Sequence, residues 1–112
     1  MTTPPPTVLI VPGLRDHVAQ HWQTLLAERL PQAHSLAPMG RDNLGLAPRI
    51  QGLEAAVATC SGPVLLVAHS GGCVLVAHWA RQTRLATRVA GALLATPPTF
   101  DRPLPPAYPQ LE

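Results

Sequence analysis

The stretch Gly62–Ala80, G-P-V-L-L-V-A-H-S-G-G-C-V-L-V-A-H-W-A, holds two apolar runs separated by a tight His69-Ser70-Gly71-Gly72 corner. The first run, Val64 to Ala68, has the length and β-branched content of a buried strand, and the second has helical length. A serine at such a corner stands at the carboxyl end of a strand and the amino end of a helix. There its hydroxyl is pushed out of the sheet, and the unpaired N–H groups of the first helical turn point toward whatever it attacks. The residues two before and two after it must be small, because strand and helix backbones nearly touch. Here they are Ala68 and Gly72, so the pattern is A-x-S-x-G where the usual nucleophile elbow reads G-x-S-x-G.

Outward from this corner the chain alternates strand and helix signals. Thr7 to Val11, T-V-L-I-V, is a β-branched run ended by Pro12-Gly13, which reads as a strand buried on both faces. From about Val18 to Leu30, Trp22, Leu25, Leu26 and Leu30 share a helical stripe, leaving Gln23, Glu28 and Arg29 for solvent, and Pro31 ends the helix. Ala33 to Leu36 is a short strand, and residues 38–45 carry turn chemistry. Leu46, Ile50, Leu53 and Val57 mark a second helix, starting near Pro48 and fraying by Ser61-Gly62. In the helix from Gly71 to about Gln82, Cys73, Val76, Ala77 and Ala80 form one stripe. Val89 to Ala95 is a fourth strand, stopped by Pro97-Pro98.

The order β-α-β-α-β-α-β predicts an α/β fold of three layers, α/β/α, around a parallel sheet of about four strands with right-handed crossovers. Residues 1–6 are a Pro-rich lead, 7–96 the domain and 97–112 an irregular Pro-rich tail. With 112 residues the chain is one domain, able to bury roughly 60 to 68 per cent of its unfolded surface. The apolar residues, 46% of the chain, are mostly Ala, Leu and Val with few aromatics, which suits a parallel sheet under helices.

All eight basic residues are Arg, which excludes a P-loop, a Schiff-base amine and a lysine nucleophile. They are scattered and the net charge is only +2, so no nucleic-acid groove is expected. Cys60 and Cys73 have no metal-ligand spacing, and neither a metal nor a cofactor motif is present; Cys73 reads as a small buried helix residue. The N-terminal M-T-T-P-P-P-T has no basic n-region, and no apolar run is long enough for a membrane span, so a cytoplasmic location away from membranes is expected.

Six segments together resemble a family. V-L-I-V-P-G-L (Val8 to Leu14), H-W-Q (His21 to Gln23), G-R-D-N-L (Gly40 to Leu44), V-A-H-S-G-G-C (Val67 to Cys73), A-H-W-A (Ala77 to Ala80) and L-L-A-T-P-P (Leu93 to Pro98) are similar to the small single-domain α/β-hydrolases that include the retinoblastoma-binding serine hydrolases. The resemblance implies the spatial strand order 2-1-3-4, with a ligand crevice between strands 1 and 3 where Ser70 and the loop after Gly13 meet. It also implies a serine hydrolase acting on a small carboxylic ester, or an amide, through an acyl-Ser70 intermediate. Members of that family are longer, with the acid and histidine of the triad in a last third this sequence does not contain. A C-terminally truncated chain of impaired activity is therefore expected.

A serine hydroxyl needs a base, an acid to orient that base, and donors for the developing oxyanion. The donors are the N–H of Gly71 and a backbone N–H after Gly13, at Leu14 or Arg15. For the base, His17 lies beyond the first strand next to the crevice. For the acid, Asp101 follows the fourth strand, and it also reads as an ordinary loop residue. His69 has a local structural reading, His21 belongs to the H-W packing motif, and Asp16 can cap the helix that follows. His78 is two helical turns beyond Ser70, too far along the axis to reach it.

Alternatives from other classes stay open. A binding protein that kept the sheet and lost the triad would use the tail, where Arg102 to Pro106 reads as an SH3-type and Pro105 to Tyr108 as a WW-type ligand. A flavodoxin-like nucleotide binder lacks the G-x-G-x-x-G fingerprint after the first strand. The fourth strand, 89–95, is expected to be an unprotected apolar edge open to self-association.

Overall fold

In the computed structural model, which describes residues 5–13, 21–36 and 46–98, the expected alternation of strands and helices is present. The elements are β1 (Thr7–Val11), α1 (Trp22–Arg29), β2 (Ala33–Ser35), α2 (Leu46–Thr59), β3 (Val64–His69), α3 (Gly71–Gln82) and β4 (Val89–Ala95), with a 3-10 turn at Ala86–Arg88. The four strands form one sheet in the order β2-β1-β3-β4. All three pairings are parallel, with Ile10 opposite both Ser35 and Val67, and Val67 opposite Leu93. Parallel neighbours need crossovers, and the helices supply them.

Side chains alternate across a strand, and the two faces bury different partners. Leu9 and Val11 of β1 and Val64, Leu66 and Ala68 of β3 pack with Leu53 and Val57 of α2 and with Cys73, Leu75, Val76 and Trp79 of α3. On the opposite face, Val8, Ile10, Ala33 and Val67 pack under Leu26, Ala27 and Leu30 of α1. The chain is thus a three-layer sandwich with α1 on one side and α2 and α3 on the other. Trp79 and Thr83 both donate to the Glu54 carboxylate, at 2.8 and 2.5 Å, and so tie α3 to α2.

Three helical expectations are corrected. Helix α1 begins at Trp22, not near Val18, because His21 caps it: the Nδ1 of His21 accepts the Gln23 N–H at 3.3 Å. Gln23 is then buried at 3% exposure while Trp22 and Leu25 are exposed, against expectation, whereas Leu26 and Leu30 pack inward and Glu28 and Arg29 stay outside as expected. The first turn of α1 lies over the carbonyls of Val11 and Val67, and the Gln23 side-chain amide donates to both, which a leucine there cannot do. Helix α2 starts at Leu46, with Pro48 in its first turn, where the missing N–H costs nothing. In α3 the inward stripe is Gly72, Leu75, Val76 and Trp79, whereas Ala77 and Ala80 face outward.

Among the described strands β4 is an edge of the sheet, as expected. Leu93 on the α1 face is 57% exposed and Leu94 on the α3 face 47%. No helix among the described residues is long and apolar enough to cross a membrane. The tail from residue 99 onward, with its Pro-rich ligand readings, lies outside the described residues.

An exposed apolar edge is a template for pairing with another chain. Sedimentation velocity over a concentration series is expected to show association of the wild-type chain and less of it in Leu93→Glu. Because Leu93 is already half in solvent, the urea midpoint of the variant should correspond to a stability within about 0.5 kcal/mol of wild type.

Candidate active site

Ser70 sits where β3 becomes α3, with φ 52° and ψ −119°. A non-glycine residue at positive φ costs about 1–3 kcal/mol and persists only where its surroundings impose it. The surroundings are on both sides. The Ser70 N–H donates to the Ala95 carbonyl of β4 at 3.0 Å, and its own carbonyl accepts from Cys73 N–H at 2.9 Å. Its hydroxyl makes no capping hydrogen bond with α3, so it is not committed to the plain helix-cap role that a serine often fills.

Ala68 is fully buried beneath this corner. At Gly72 a Cβ would lie 2.4 Å from the Val11 carbonyl oxygen and 2.8 Å from that of Pro12. Both small positions of the pattern are therefore demanded by contact. The same closeness brings the end of β1 to the serine: a Cβ on Gly13 would stand 3.6 Å from Ser70 Cβ and 3.8 Å from Gly71 N. Ser70, Gly71 and Gly13 thus lie side by side at the carboxyl ends of β1 and β3, where the crevice was expected. Leu14, Arg15, His17 and Asp101, together with Asp16, lie outside the described residues.

Beside the corner is an aromatic cluster. The His21 ring meets His69 edge to face, with ring centroids 4.4 Å apart, and Trp22 approaches His69 at 5.8 Å. The readings of His69 as local and His21 as packing thus join into one contact next to the serine. Burial, and then the neighbouring His69, hold the His21 pKa below its ordinary value of 6.5. The Cys73 thiol, buried one turn into α3, is pushed up by burial and donates to the Ala95 carbonyl at 3.4 Å. It is a structural sulfur, as its sequence position suggests.

Gln23 is the residue that periodicity misses. Its side-chain nitrogen donates to the carbonyls of Val11 at 3.2 Å and Val67 at 3.0 Å, bridging the ends of β1 and β3 under the crevice. It also lines, with Ile10, Pro12, His21, Thr24 and Ser35, a cleft of about 240 Å³ on the α1 side of β1. The signal available in sequence was its place directly after His21-Trp22. Of the described carboxylates, Glu54 is engaged between α2 and α3 and Glu28 is exposed on α1. Among the described residues no group of three or more His, Cys, Asp or Glu is placed to hold a metal ion.

Comparison with known proteins bears on this arrangement. The profile of the serine hydrolase family matches residues 8–111. The crystal structure of a YdeN-like hydrolase from Pectobacterium atrosepticum SCRI1043 superposes with a TM-score of 0.75 at 28% identity, over 84% of this chain. The chain spans about half the length of that structure, 50%. No curated protein matches.

Two measurements check the geometry. Gly72→Ala is expected to lose about 1–3 kcal/mol in urea unfolding, because its methyl group must displace two backbone carbonyls. For His21, the folded protein binds its proton less readily than the unfolded chain. The associated stability is therefore complete above pH 6.5 and is lost as pH falls through the lowered folded value. An NMR titration should place the His21 midpoint below 6.5, moving back toward it in His69→Ala.

Proposed function

The chain belongs to the serine hydrolase family, and from that premise we propose that it hydrolyses small carboxylic esters, or amides, through an acyl-Ser70 intermediate. The observation that carries this reading is the backbone of Ser70, held at positive φ on a strand-to-helix corner with its hydroxyl uncapped and Gly13 alongside. Strain of this kind presents a nucleophile clear of the sheet.

In the reaction Ser70 Oγ attacks the substrate carbonyl carbon, and the hydroxyl proton passes to a base and then to the leaving alcohol or amine. Water next attacks the acyl-enzyme, releasing the carboxylic acid and restoring the serine. The oxyanion of each tetrahedral intermediate takes hydrogen bonds from Gly71 N–H and from a backbone N–H after Gly13, at Leu14 or Arg15. Space for that oxygen is supported by the absence of a side chain on Gly13, whose Cβ would stand 3.8 Å from Gly71 N.

His17 is the candidate base and Asp101 the candidate acid within this chain. Impaired turnover is part of the proposal: a base and acid less effective than a full triad leave the acyl step to gain chiefly from the oxyanion donors. A cytoplasmic location and a small-molecule ester as partner belong to the same reading.

The test is a fluorophosphonate probe with intact-mass readout. A single adduct on wild type that disappears in Ser70→Ala is the expected result. An adduct that persists in Ser70→Ala, or none on a folded sample at any pH from 6 to 9, would remove Ser70 from the role of nucleophile.

A further inference from the structure

Gln23 occupies a position where burial alone would select an apolar side chain, and both of its side-chain hydrogen bonds lead to the strands on either side of the Ser70 corner. The side-chain nitrogen carries two hydrogens, and each has a carbonyl: Val11 O at 3.2 Å and Val67 O at 3.0 Å. The backbone N–H of the same residue holds Nδ1 of His21 at 3.3 Å. A ring nitrogen that accepts carries no proton, so neutral His21 bears its hydrogen on Nε2. That ring rests against His69, the residue before Ser70.

The two carbonyls belong to the two strands that build the crevice. Val11 is the last residue of β1, and the chain turns from it through Pro12 to Gly13 beside Ser70. Val67 lies in β3, three residues before Ser70. The Val11 carbonyl is also the atom that leaves no room for a Cβ on Gly72. It is thus packed against α3 and held by α1 at once.

We propose that Gln23 is a positioning residue: by tying the Val11 carbonyl to the Val67 carbonyl, it sets the distance between Gly13 and the Ser70-Gly71 corner. The inference rests on the reading of Ser70 as nucleophile with the Gly13 loop as the second side of the oxyanion site. Gln23 touches no reacting atom. It acts through the backbone of β1 and β3, where a shift of an ångström moves Gly13 away from the Ser70-Gly71 corner.

The test uses the full chain and two variants. Gln23→Met keeps length and volume and removes both donors. Gln23→Glu keeps the shape, and burial against two carbonyl oxygens favours its protonated form, which restores one donor. For each, fluorophosphonate labelling of Ser70 is resolved into kinact and KI on the folded fraction, and amide hydrogen exchange is followed by segment. Gln23→Met is expected to lower kinact about 10- to 100-fold with KI little changed, and Gln23→Glu to fall between it and wild type. Exchange should quicken only in segments covering residues 7–13 and 64–72.

A wild-type kinact in Gln23→Met, or exchange that rises evenly along the chain, overturns the proposal, since a residue that only stabilises the fold reduces the labelled amount and not kinact. Should Gln23→Met fail to fold, the wild-type to Gln23→Glu comparison decides on the same criteria. If wild-type Ser70 takes no label, the nucleophile reading fails on its own, and the exchange pattern alone upholds or overturns the tie between the strand ends.

Discussion

The approach of Gly72 to the carbonyls of Val11 and Pro12 is the contact on which the rest of the structure depends. A Cβ there would be 2.4 Å from an oxygen, so the first turn of α3 rests directly on the end of β1. That places the helix over the strand without an intervening side chain. It also leaves the chain one residue, Ser70, in which to turn from strand direction to helix direction, and the turn is made at φ 52°. The strained serine, the buried Ala68 and the nearness of Gly13 follow from one steric condition.

Around that contact the molecule divides its tasks between layers. The α2/α3 side supplies most of the apolar core, with Leu53, Val57 and Trp79 almost fully enclosed. The α1 side is thinner and more polar at its top, where Gln23 and His21 meet the ends of β1 and β3. Burying an amide costs free energy unless every donor finds an acceptor. Here both hydrogens do, so the polar residue joins two strand ends without leaving an orphan. The α1 side is thus held at this end by directed bonds as well as by packing.

Beyond β3 the sheet has less cover. Leu93 and Leu94 point to opposite faces of β4 and both are about half exposed, which separates this edge from the enclosed β1 and β3. Ala95 nonetheless anchors the site from this edge, accepting from both Ser70 N–H and Cys73 Sγ.

Sequence alone determined the strands, the α/β class and the small residues flanking Ser70, because each depends on local patterns: β-branched runs, helical spacing and a corner that tolerates only small side chains. It did not determine the start of α1, the burial of Gln23 or the meeting of His21 with His69. Helical periodicity assumes that a helix presents its apolar stripe to a uniform core. The first turn of α1 instead lies over carbonyl groups at strand ends, and there a donor outcompetes an apolar side chain. His21 and His69 are distant along the chain, and only the pairing of β1 with β3 under α1 brings their rings to 4.4 Å. What the tertiary structure decided is therefore the polar scaffold of the crevice, since it depends on backbone groups whose positions no single segment specifies.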